Sequence, residues 1–198
     1  YTPIYNGYKD ANGKMRSLSG KALSHSLSVT AEITACKANG DGWYTETIVD
    51  RMLINMLLIL ISKSTSTQRV FGQGMTSAGE SAMKSYLTGS LDAKGMFFGY
   101  SSTDKAVKVF GMENYYGNQW RRTVGLILAN GIVKVKLSPS TKDGSKATNY
   151  NTDGTGYIEI PNSTPIGTSS GYIKDMLYTA LGMFPASITG SSSTYYPD

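Results

Sequence analysis

The chain has 198 residues, enough for one good-sized domain with a hydrophobic core, and 40% apolar against 17% charged residues excludes a disordered chain. A net charge of +5 raises nucleic-acid binding as a function. The basic residues do not cluster, however: the densest group is Lys134 and Lys136 with Arg121 and Arg122, and alternating lysines on a strand mark a solvated face or a protected edge, not a phosphate track. The 22 glycines and 14 tyrosines, with abundant Ser and Thr, favour strands, tight turns and long loops. Tyr, Ser, Gly and Asn are also the residues that recognition surfaces use.

In chain order, Tyr5 to Gly20 reads as a hairpin turning on Asn12-Gly13, where positive φ angles are needed. A polar, irregular stretch is expected from there to about Cys36. The strongest helix is predicted over Thr45 to Ser62, with Ile48, Met52 and Leu53 inward. From Met52 to Ile61 only Asn55 is polar, so that half is expected to be buried all round, with Asn55 a core amide. The same run is about half the roughly 20 residues that a bilayer span needs. A second helix is predicted at Ser77 to Leu87 behind a Ser77/Glu80 capping box.

Beyond Gly89 the pattern changes to short strands, MFFGYS and then AVKVFGM. Leu126 to Leu137 is a hairpin turning on Asn130-Gly131, with Val133, Val135 and Leu137 on one face. Ser138 to Gly156 reads as a polar loop, YIEI as a short strand, and GYIKDMLY fits strand or helix equally. GMFPASITGSSSTYYPD is expected to end the chain without a terminating element. The fold class is α+β: two helices on a small twisted antiparallel sheet, in one domain spanning residues 1–198. The opening on Tyr-Thr-Pro, with no signal peptide, reads as the middle of a longer protein.

Catalytic machinery is close to absent. His25 is the only histidine, in a Ser-rich stretch without a nucleophile elbow, and reads as exposed. Cys36 is the only cysteine, so one His and one Cys cannot assemble a zinc set, and its thiol is expected to be buried. FGQGMTSAGE lacks the Lys-Ser/Thr of a phosphate loop, and KDANGK and NTDGTG lack the later Glu of a calcium loop. Asp41, Glu46 and Asp50 complement the start of the long helix. No cofactor and no metal site are expected.

The densest recognition-type stretch is FGMENYYGNQWRR, Phe110 to Arg122. Val109 and Met112 face inward, Gly111 and Gly117 supply tight backbone positions, and Trp120 anchors a core corner, as Trp43 fills the core elsewhere. Glu113 and Asn114 bond the backbone of neighbouring loops. Two readings stay open: a corner that defines the fold, or an aromatic ligand-contacting patch around Tyr115, Tyr116 and Trp120.

Gly111-Met112-Glu113-Asn114-Tyr115-Tyr116-Gly117-Asn118-Gln119-Trp120 resembles the G-x-E-N-x-x-G-N-x-W signature of C-type lectin-fold domains. These are related to formylglycine-generating enzymes and to the variable proteins of diversity-generating retroelements. The likeness is nearest to domains of phage and prophage structural proteins. There the signature follows a DR-x-LIN-x-LL helix, matched here by Asp50 to Leu58, and a Lys-Ser-Thr-x-Thr-Gln run, matched by Lys63 to Gln68. It spans Tyr5 to Asp198.

The resemblance implies a C-type lectin-like fold in which Gly111, Glu113, Asn114, Gly117, Asn118 and Trp120 are structural. It also implies a non-catalytic recognition domain of a virion, in a tail tip or fibre, that binds a host surface protein or glycan. Partners would be that ligand, other virion proteins and further copies of the chain, with neither nucleic acid nor membrane insertion. Tyr115, Tyr116, Tyr150 and Tyr157 are the expected exposed ligand-contacting aromatics. An alternative is a structural virion module for assembly or oligomerisation. Cys36 lies outside the enzymes' catalytic motif, so activity does not carry over. The variable C-terminal segment of retroelement-diversified members has no counterpart up to Asp198; either it belongs to another part of the polypeptide or this example lacks it.

Overall fold

The computed structural model describes residues 2–40, 42–137, 154–161, 165–166 and 171–191. Over these residues the architecture is α+β, with four helices and several small antiparallel sheets where two helices on one sheet were expected. The chain forms two compact units, Tyr1–Trp43 with Thr67–Arg121 and Tyr44–Ser66 with Arg122–Asp198.

In the first unit, β1 (Tyr8–Lys9) and β2 (Met15–Arg16) form the expected hairpin, pairing Tyr8 with Arg16 and Lys9 with Met15. Asp10 organises its turn by accepting from the Asn12 and Lys14 amides, both at 2.9 Å, and from Arg16 at 3.0 Å. The Lys14 N–H and the Arg16 guanidinium hold its carboxyl below the usual range. The stretch expected to be irregular contains α1 (Val29–Lys37), started by Ser28, whose hydroxyl accepts from the Ala31 amide at 3.2 Å. Its β-branched residues and weak apolar period hid it, yet Ile33, Ala35 and Cys36 are buried.

Also in this unit, α3 (Thr67–Phe71) is one short turn of helix. The second expected helix shrinks to α4 (Glu80–Ser85), capped by Gly79 without a side-chain bond. Ser77 does not form the capping box, because its hydroxyl bonds Thr103 instead. MFFGYS is not a strand; only Phe98 bridges to Lys108. AVKVFGM splits into β3 (Lys108–Val109) and β4 (Met112–Glu113), paired across the two-residue turn Phe110-Gly111.

The second unit is built on α2 (Ile48–Ser62). Thr47 and Asp50 form a reciprocal capping box, and the Ile48 amide donates to the Val124 carbonyl at 2.9 Å. β5 (Leu126–Ala129) and β6 (Ile132–Val135) turn on Asn130-Gly131, both with positive φ, and β7 (Ile158–Glu159) pairs with β6. GYIKDMLY resolves as strand β8 (Asp175–Thr179). GMFPAS, where no terminating element was expected, is its partner β9 (Gly182–Ser187). Pro185 sits opposite Met176 and donates no N–H, and the register slips beside it, between Asp175 and Met176. Ile48, Val133, Val135, Ile160 and Phe184 form the core of this unit, with Val49 and Met52 packed against it.

All-round burial of α2 is overturned. Leu53, Met56, Leu57, Leu60 and Ile61, at i, i+3, i+4, i+7 and i+8, form one exposed stripe, while Ile54, Asn55 and Leu58 are buried. Leu53, expected inward, lies on that open face. Among the described residues no helix is long and apolar enough to cross a membrane.

Candidate functional site

Two loop systems of the first unit meet around the signature stretch. The β3–β4 turn places Phe110 at φ 49° and Gly111 at φ 79°, a left-handed pair that costs a non-glycine residue about 1–2 kcal/mol. Val109 and Met112 are buried beside it. Glu113 is buried too, and its carboxylate accepts from the Gly89 and Leu91 amides, both at 2.9 Å, and from the Tyr86 hydroxyl at 2.5 Å. Opposite it on β3, the Lys108 ammonium donates to the Leu91 carbonyl at 3.0 Å and the Lys94 carbonyl at 3.3 Å. Burial, followed by the bond to Glu113, pushes the Tyr86 hydroxyl well above its ordinary pKa.

Asn114, at φ 53°, exchanges backbone and side-chain bonds with Val107 and turns the chain back into the unit. This overturns the expected exposure of the next two tyrosines. Tyr115 is 1% and Tyr116 8% exposed. The Arg121 guanidinium lies 5.2 Å from the Tyr115 ring centroid, and the Tyr116 hydroxyl donates to the Gly72 carbonyl at 2.9 Å. Burial raises the Tyr116 hydroxyl pKa strongly.

Gly117, at φ 84°, packs so closely that a Cβ would stand 3.0 Å from the Met75 amide nitrogen. Asn118 is buried, and neither of its amide atoms has a hydrogen-bond partner among the described residues. Trp120, expected in the core, is fully exposed because the chain leaves the buried corner after Asn118, and Trp43 is also exposed. Tyr157, in the second unit, is half-buried with the Lys136 ammonium 5.9 Å from its ring centroid. Tyr150 and Asp41 lie outside the described residues.

What the corner supports is an open groove of about 500 Å³ between residues 68–73 and 97–101. Its floor is a backbone crossing that only glycine permits. A Cβ on Gly99 would stand 2.1 Å from the Phe71 carbonyl oxygen, and one on Gly72 would stand 2.6 Å from the Gly99 Cα. The Gln73 amide donates to the Tyr100 carbonyl at 2.9 Å, and Phe98 exchanges both backbone bonds with Lys108.

Aromatic rings build the groove's walls. Phe71 and Phe97 stack with centroids 5.1 Å apart, Phe110 meets Phe97 edge-on at 5.0 Å, and Phe98 meets Tyr100 edge-on at 5.2 Å. Phe97 and Tyr100 remain exposed. Gln68, Gln73 and Ser101 add neutral polar groups, Arg69 adds one cation, and no carboxylate is among the lining residues.

The groove escaped the sequence reading, although its signal is the pairing of aromatics with glycine in Phe71-Gly72 and Phe97-Phe98-Gly99-Tyr100. His25 is exposed, with Nδ1 3.1 Å from the Ser26 hydroxyl. Among the described residues no group of three or more His, Cys, Asp or Glu side chains could hold a metal ion. Ring faces between neutral donors and acceptors suit reversible recognition of a partly apolar ligand. No family model matches the chain, and neither the curated proteins nor the solved structures contain a significant match to it.

Proposed function

We propose that the chain is a non-catalytic recognition domain of C-type lectin-like fold, belonging to a phage tail or other virion protein and binding a bacterial surface protein or glycan. The aromatic groove at Phe97 and Tyr100 carries this reading, because rigid rings beside amides and a hydroxyl give contact area at low entropic cost. The signature resemblance supplies the virion context, and the bonding of Glu113 and Asn114 to loop backbone agrees with a structural role for that motif. Contact therefore falls to the groove rings, with Tyr116 and Phe110 supporting them from behind. The test is saturable binding of the labelled chain to a panel of bacterial cells. Binding that persists unchanged after Phe97→Ala with Tyr100→Ala, in a folded protein, counts against it.

The exposed stripe on α2 favours a second reading, a virion assembly module. Under it, sedimentation would show concentration-dependent self-association lost in Leu60→Glu.

A further inference from the structure

Resting on the recognition reading, we infer that the groove between residues 68–73 and 97–101 is a saccharide site that seats one neutral pyranose unit of a glycan against Phe97 and Tyr100. The ring C–H bonds of a pyranose present slightly positive hydrogens, which pair with the negative face of an aromatic ring. T-shaped pairing with Phe110 and with Phe98 fixes the angles of Phe97 and Tyr100, Phe71 backs Phe97 by stacking, and the Gly72–Gly99 crossing keeps the floor from yielding. Around the rings stand Gln68, Gln73 and Ser101, each able both to donate and to accept, as sugar hydroxyls do.

Other occupants fit less well. A peptide added as a strand needs unpaired backbone, yet Gln73 N–H is bonded to Tyr100 C=O, Phe98 uses both its backbone groups on Lys108, and Gly72 C=O holds the Tyr116 hydroxyl. Single-stranded nucleic acid would stack on the rings but also needs a cationic track, and Arg69 is the one cation among the lining residues. The groove's open side suits a unit within a chain or at its end.

The experiment is a titration of the full chain, followed by NMR of its aromatic and amide resonances. The probes are the methyl glycosides of glucose, galactose and N-acetylglucosamine at millimolar concentration, with a proline-rich peptide and an oligothymidine as rivals. The expected result is saturable shifts at Phe97 and Tyr100 with at least one sugar, weakened at least tenfold by Phe97→Ala. If that variant loses its fold, Gln73→Ala, which removes an amide and no ring, is expected to weaken sugar binding instead. The inference is overturned if no sugar shifts these rings, or if only the peptide or the oligonucleotide does. Cell binding separates the two levels. Cells that bind through the groove without sugar binding sink the saccharide assignment alone, whereas sugar binding without any cell binding sinks the recognition reading.

Discussion

Glu113 shows how a single side chain can organise one whole turn, residues 86–91. Its carboxylate terminates the Gly89 and Leu91 amides and the Tyr86 hydroxyl within a buried site. Glu113→Ala removes the acceptor of the Gly89 and Leu91 amides, while the Tyr86 hydroxyl keeps Ser90, and is expected to cost about 3–5 kcal/mol, with Glu113→Gln costing less because it keeps one acceptor. Urea unfolding of the three proteins checks the order. Tyr116 gives a pH signature in the same unit. Burial raises its folded pKa above the ordinary 10.0, so its contribution is complete below pH 10 and is lost as pH rises beyond it. Stability should then fall by about 1.4 kcal/mol per pH unit on its account, with a smaller share from half-buried Tyr86. Denaturant melts between pH 8 and about 11 should show a shallower fall for Tyr116→Phe than for the parent.

Elements differ in how sharply they respond to substitution. On α2, Leu58 is fully buried and Leu60 is 69% exposed only two positions away. Leu58→Ala should cost about 2–5 kcal/mol and Leu60→Ala under about 1 kcal/mol, measured by thermal or urea melts. At the groove floor, Gly99→Ala would drive a Cβ into the Phe71 carbonyl, a backbone atom that cannot swing aside. That substitution should destabilise the protein by about 3 kcal/mol and weaken any ligand the groove holds. Hairpins were the elements most legible in the sequence. Asn12-Gly13 and Asn130-Gly131 announce their turns chemically, and the Thr47/Asp50 box starts α2 close to where the pattern begins. Helix α1 was hidden by its β-branched residues and weak apolar period, and β9 because it contains a proline. Composition marked Tyr115 and Tyr116 as recognition residues, but the left-handed turn at Asn114 decides their direction, and composition carries no direction.

At the scale of the molecule, chain order and spatial grouping diverge. Helix α2 precedes most of the first unit in sequence yet packs with strands that come after residue 122, so local periodicity could not say which face would be covered. The groove has a similar origin: residues 68–73 and 97–101 meet where two glycines let their backbones cross, and the aromatic–glycine pairs in each segment do not say that the two will meet. The most direct measurement compares binding to bacterial cells by the parent chain, by Phe97→Ala with Tyr100→Ala, and by Tyr178→Ala. Tyr178 is an exposed tyrosine on β8, outside the groove, and serves as the control. The expected result is a loss of at least tenfold for the groove variant alone, with all three folded by circular dichroism. Equal binding by the groove variant and the parent would contradict recognition through this groove.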